Sequence, residues 1–139
     1  MTNYNPERKL FLLFSHKLTD EQTQDAKCSL NAADFIYLPD DLQKKWSAVD
    51  PEIGSLKEYS APIAEWLKNN AQKDDYVLIQ GDFGMVYYFV DIAFNNGFIP
   101  IYSTTERVFD QTKLDDGSIE MKKIIKHKIF RKYERRNKE

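Results

Sequence analysis

A single cysteine, Cys28, excludes an internal disulfide in this chain of 139 residues. The two histidines, His16 and His127, lie near opposite ends and have no cluster of Cys or carboxylates around them. Neither a zinc site nor a two-metal nuclease centre is expected, and the expected metal and cofactor sets are empty. The five glycines form no three-glycine dinucleotide fingerprint, and the Gly-Lys-Ser/Thr ending of a P-loop is absent. There is no apolar run of ~20 residues and no signal peptide, so the expectation is a cytoplasmic protein without a membrane partner. An excess of positive charge is missing too. Lys and Arg number 20 against 22 Asp and Glu, a net charge of −2, which argues against non-specific coating of DNA or RNA.

What is present is enough apolar material for a packed interior: 42% hydrophobic residues and 14% aromatics, against 30% charged. The length suits one domain over residues 1–139, with a polar lead at 1–8 and a basic tail at 132–139. Charge is unevenly distributed. From Lys122 onward nine Lys or Arg face two acids, a net +7, whereas residues 1–121 carry eleven against twenty, a net −9. That end is either a solvated basic strand or a local site for an anion or acidic partner.

Lys9-Leu-Phe-Leu-Leu-Phe-Ser15 is a short continuous apolar run, the pattern of a strand covered on both faces. Thr19 and Gln22 have capping-box spacing and predict a helix from about Asp20 to Leu30. Phe35–Leu38 is a second strand stopped by Pro39, and Asp40–Trp46 suits a short helix. Leu56, Tyr59, Ile63, Trp66 and Leu67 mark a helical stripe that Pro62 should kink, or delay until about Ser60. Tyr76–Gln80 is a third strand. Met85–Asn96 is apolar nearly all round and predicts a buried helix closed by Gly97. Ile99–Tyr102 is a fourth strand entering the polar segment Ser103–Arg107, and Asp115-Asp-Gly117 predicts a hairpin turn. In the second arm Ile119, Met121, Ile125 and Ile129 share one face, and His127 among them reads as a packed or hydrogen-bonded core histidine. The alternation predicts an α/β fold of Rossmann-like type: a mainly parallel central sheet flanked by helices and extended by a C-terminal antiparallel β-hairpin.

In such a sheet small ligands bind beyond the carboxyl ends of the strands. Three polar segments fall there. Ser15 and His16 follow the first strand, and His16 can transfer a proton or donate to an oxyanion. Gln80, Gly81, Asp82, Phe83 and Gly84 follow the third strand; their amides at a helix start suit a phosphate, and Phe83 could stack on a base, although a tight turn needs the same residues. Ser103, Thr104 and Thr105 offer three hydroxyls for phosphate, ribose or a base edge, and Arg107 adds a guanidinium that fits phosphate. Local turn bonds would account for those hydroxyls equally well.

Phe11–Thr19, Tyr76–Gly84 and Ile99–Arg107, in that order, resemble the small CRISPR-associated proteins of the Csx-twenty family over nearly the whole chain. The resemblance implies a stand-alone CARF-like domain that acts as a ring nuclease in type III CRISPR antiviral signalling. Such an enzyme is a homodimer that binds cyclic tetra-adenylate and cleaves it, without a metal, to linear di-adenylate with 2′,3′-cyclic phosphate ends. On that reading His16 and Arg107 are catalytic, and Ser15, Gln80 to Gly84 and Ser103 to Thr105 hold phosphates and sugars. A non-catalytic protein that sequesters or senses cyclic oligoadenylate is the alternative, and a partner-binding protein is a third possibility.

Overall fold

A computed structural model describes residues 6–136. The start of the polar lead and the end of the basic tail lie outside the described residues. Five strands and four helices follow in the order β1 (Arg8–Leu13), α1 (Asp20–Ser29), β2 (Ala32–Tyr37), α2 (Asp40–Ser47), α3 (Lys57–Asn70), β3 (Tyr76–Ile79), α4 (Phe83–Asn95), β4 (Ile99–Lys113) and β5 (Ile119–Lys132). All the strands join one sheet in the order β2-β1-β3-β4-β5. The first four are parallel and β5 runs antiparallel to β4.

The apolar run of β1 explains its place inside the sheet, paired on both edges, with Leu10, Phe11, Leu12 and Leu13 all fully buried. Alternate residues serve opposite faces. Phe11, Leu13, Val77 and Ile79 pack under α2, α3 and α4 with Trp46, Ile63, Leu67, Met85 and Phe89. Leu10, Leu12, Leu78 and Ile101 meet Ala26 and Leu30 of α1 on the other face. Connections from β1 therefore run outward on one face, and those from β2 return across β1 on the opposite face. The strand order reverses between β1 and β3, and their carboxyl ends lie side by side where the chain diverges.

Local chemistry accounts for the element ends. Thr19 and Gln22 close the expected capping box, with Thr19 Oγ1 accepting from Gln22 N at 3.2 Å and Gln22 Oε1 accepting from Thr19 N at 2.9 Å. Asp115–Gly117 makes the hairpin turn, and Leu114 N donates to Ser118 O at 2.8 Å.

Four expectations are corrected. The helix α3 begins at Lys57, not near Ser60, with Pro62 inside it, in the second turn, where it has no amide to donate to the carbonyl four residues back. β4 does not end at Tyr102 but continues through Ser103–Arg107 to Lys113, because all of these polar residues but Thr104 pair with residues of β5, and Thr104 bonds Ile129 through its hydroxyl. α4 is not buried all round: Met85, Phe89 and Ala93 face the core, while Phe83 and Tyr87 are 94% and 82% exposed. Finally, Ile129 leaves the face of Ile125. A bulge sets Ser103 opposite Phe130 and Thr105 opposite His127, so that Lys128 and Ile129 of β5 stand against Thr104 alone. Phe130 thereby takes the face of His127, their rings 4.5 Å apart.

Candidate functional site

The exits of β1 and β3 form the floor of the candidate site. Ser15 and His16 are exposed, and the His16 ring stands edge-on to Phe14 at 5.5 Å. Next to them Gln80 is committed to the scaffold by three bonds. Its amide donates to Leu13 O at 3.1 Å, its carbonyl accepts from Trp46 Nε1 at 3.0 Å, and its Oε1 accepts from Ser103 N at 2.7 Å. Gln80 thus ties the ends of β1, β3 and β4 together.

Packing dictates glycine at position 81, where the neighbour is a buried indole, and presses on position 84 only through the movable end of a side chain. A Cβ on Gly81 would lie 2.9 Å from Trp46 Nε1, and one on Gly84 would lie 2.7 Å from Leu56 Cδ1. Their solvent side is nonetheless open, and both residues are exposed. Asp82 caps α4, its Oδ2 accepting from Met85 N at 3.1 Å, so the carboxylate already answers one amide at that helix start. Phe83 projects into solvent beside it, free to stack on a planar ring.

The third predicted segment is differently disposed. Thr104 Oγ1 bridges the bulge, donating to Ile129 O and accepting from Ile129 N, both at 3.1 Å. Thr105 and Arg107 are exposed on the projecting part of β4. Arg107 lies four steps along the strand from Ser103, roughly 13 Å at the usual rise per residue. The fold therefore gathers Ser15, His16 and Gly81–Gly84, anchors Gln80 and Ser103 beneath them, and carries Arg107 outward.

Ser103 belongs to a buried polar chain that residue spacing does not reveal. Its Oγ lies 2.6 Å from His127 Nδ1, and His127 Nε2 lies 2.6 Å from Asp25 Oδ2. Gln22 Nε2 adds a donor to Ser103 Oγ at 3.4 Å. The His127 side chain is 5% exposed and Ser103 is 7% exposed. Partial burial raises the Asp25 pKa, but the Ser29 hydroxyl and His127 outweigh that and hold the carboxyl below its ordinary value of 3.8. The order serine, histidine, aspartate is that of an activated nucleophile. Here, however, Gln22 and His127 close over the hydroxyl. The chain is a brace that fastens the root of the β4–β5 hairpin to α1. The three residues come from three separate elements, and only the expectation that His127 is hydrogen-bonded gave any sequence signal.

Among the described residues no three His, Cys, Asp or Glu side chains are gathered to hold a metal ion, and no helix is long and apolar enough to cross a membrane.

Comparison with known proteins gives one family. The family described as "Uncharacterized protein MJ1673 family" matches residues 8–131. "Uncharacterized protein MJ1673" of Methanocaldococcus jannaschii is 49% identical over 125 residues, covering 90% of this chain and 96% of that protein. No solved structure gives a significant match. The chain belongs to the MJ1673 family.

Proposed function

We propose that this member of the MJ1673 family is a CARF-like, Rossmann-like ring nuclease that binds cyclic tetra-adenylate and opens it. The carrying observation is the junction of β1 and β3: two adjacent parallel strands whose chains leave on opposite faces, with Ser15, His16 and the Gly81–Gly84 turn exposed side by side. An imidazole, open backbone amides and an exposed aromatic ring at adjacent strand ends suit a proton transfer, a phosphate and a base respectively. The three-segment resemblance to the Csx-twenty family supplies the ligand.

RNA brings its own nucleophile. The ribose 2′-oxygen attacks the adjacent phosphorus, its proton passes to His16, and the bond from phosphorus to the 5′-oxygen breaks. That oxygen regains a proton, leaving a 2′,3′-cyclic phosphate; two such cuts release two linear di-adenylates. Holding the 2′-oxygen in line provides much of the acceleration, and Arg107 neutralises charge developing on the phosphoryl oxygens. Ser15, Thr105 and the turn amides orient phosphates and sugars, while Gln80, Ser103 and Thr104 fix the strand ends that carry them. A two-fold ligand matches a two-fold dimer, and the ring's chemistry needs no metal.

Single-turnover cleavage of labelled cyclic tetra-adenylate tests the assignment. Both His16→Ala and Arg107→Ala should lower the rate by about 10²-fold or more, with little loss of binding for His16→Ala. Full activity of both variants would overturn the assignment. The distance of Arg107 from the crevice within one chain favours the second reading, a non-catalytic cyclic oligoadenylate-binding protein; retention of intact ligand by the wild-type protein would establish it.

A further inference from the structure

The segment that carries His16 hangs between two ties, and one of them is a side chain of α2. The pairing of β1 with β3 ends at Leu13 opposite Ile79, where Gln80 N donates to Leu13 O at 3.1 Å. Phe14 O is the next carbonyl along the chain, and Gln43 Nε2 donates to it at 2.7 Å. The Phe14 side chain packs with the apolar cluster on the α1 side of the sheet. The second tie is at Leu18, whose amide donates to Tyr37 Oη at 3.1 Å. Between the two, Ser15, His16 and Lys17 are exposed, and among the described residues their side chains make no hydrogen bond. The His16 ring leans edge-on against Phe14, so its place follows from how Phe14 is held.

The hold is rigid. Gln43 uses both hydrogens of its amide, the second going to Ser47 Oγ one turn further along α2 at 3.1 Å. That fixes the amide's orientation, because a flipped amide would set its oxygen against Phe14 O. α2 is itself pinned to α3: Lys45 Nζ donates to Tyr59 O at 3.2 Å, and Tyr59 Oη donates to Lys45 O at 2.6 Å. Trp46 stands three residues beyond Gln43, on the same side of α2, and donates to Gln80 O at the exit of β3. One short helix thus grips a backbone carbonyl at each of the two strand exits. The spacing between His16 and the Gly81–Gly84 turn is set by that helix.

Gln43 also carries a cost. Its Oε1 is buried and has no hydrogen-bond partner among the described residues. Buried acceptors left unpaired are rare and destabilising, and such broken rules gather at functional positions. Methionine would fill a similar volume without the unpaired oxygen and would lose the grip on Phe14 O. We infer that Gln43 is a positioning residue for His16, fixing through Phe14 O where the imidazole stands relative to the glycine turn. The grip rests on the geometry above; its effect on ring opening rests on the ring-nuclease reading.

Two variants test the grip without any ligand. Gln43→Met removes the donor and the unpaired oxygen together, whereas Gln43→Glu keeps the shape but, ionised, offers Phe14 O only acceptors. Amide relaxation by NMR should show Ser15–Lys17 more mobile in both, with the Gly81–Gly84 turn unchanged. Unchanged order at Ser15–Lys17 would overturn the inference whatever the activity. In single-turnover cleavage of cyclic tetra-adenylate, either variant should be slowed about 10-fold or more, with affinity within about two-fold of wild type. Weakened binding with an unchanged cleavage rate would contradict a positioning role. The double variant is the sharpest readout: in a His16→Ala background, Gln43→Met should cause no further loss, because the group it positions is gone. Fully additive losses would make Gln43 a general support of the fold and overturn the inference. If the wild-type protein leaves the ligand intact while Ser15–Lys17 loosens in both variants, the ring-nuclease reading falls and the grip on Phe14 O stands.

Discussion

One strand, β4, lives in two environments. Up to Ser103 it is covered on both faces and joined to β3, and Ile101 and Ser103 are buried; beyond the bulge it has β5 as its only strand neighbour and most of its side chains are exposed. The first half is held by the same apolar layers that hold β1 and β3. The second half is held to the body by hydrogen bonds at its root, where His127 and Ser103 meet Asp25 and Gln22 of α1. An isolated two-stranded ribbon is marginal in water, and the exposed face of this one has no cover among the described residues. The body supplies stability and the crevice; the ribbon supplies reach.

Substitutions in the two halves should therefore behave differently. The largest effect is expected at Trp46, which is 2% exposed, packs edge-on to Phe89 and donates to Gln80 O. Trp46→Ala should cost ~3–5 kcal/mol in urea unfolding. Phe109→Ala, measured at dilutions where the chain is monomeric, should stay within about 0.5 kcal/mol of wild type. A large loss there would show that the ribbon face is covered within its own chain.

Next in size is the brace. His127→Ala removes the partner of both Ser103 and Asp25 and should destabilise by ~1–3 kcal/mol, with faster amide exchange concentrated at the ribbon root. Uniform protection across the ribbon would disprove the anchoring role. The glycine turn divides in the same manner. A Cβ at Gly81 meets the buried, hydrogen-bonded indole of Trp46, so Gly81→Ala should cost ~1–3 kcal/mol. At Gly84 the added carbon meets the end of the Leu56 side chain, which can swing aside, and alanine suits a helix start better than glycine. Gly84→Ala should thus be close to neutral in thermal unfolding.

The smallest effect is that of acid. The Asp25 carboxyl is held below its ordinary value in the folded chain, so its contribution is complete above the unfolded pKa of 3.8 and is lost as pH falls through the folded value. Wild-type stability should drop more steeply below pH ~4 than that of Asp25→Asn. Equal slopes would show that Asp25 is not linked to folding through His127.

Much of the body was legible in the residues. The capping box at Thr19 and Gln22, the apolar run of β1 and the turn at Asp115–Gly117 each act through neighbouring residues, and local patterns report local physics. The length of β4 was not legible, because Ser103–Arg107 is polar and becomes strand only by pairing with a distant segment, from Ile125 to Phe130. The bare side of α4 was hidden for the opposite reason: a helix apolar all round reads as buried, and only the placement of its neighbours leaves Phe83 and Tyr87 outside. At the candidate site Ser15, His16 and the Gly81–Gly84 turn stood out as strand exits. Asp25 and Gln22 did not, since a carboxylate and an amide on a polar helix look like solvated residues until His127 and Ser103 are brought to them.

Incubating the wild-type protein with cyclic tetra-adenylate in excess chelator, and resolving the products by chromatography and mass, tests ring opening most directly. Linear di-adenylate bearing a 2′,3′-cyclic phosphate is the product the account predicts. Intact cyclic tetra-adenylate after prolonged incubation with stoichiometric protein would contradict it.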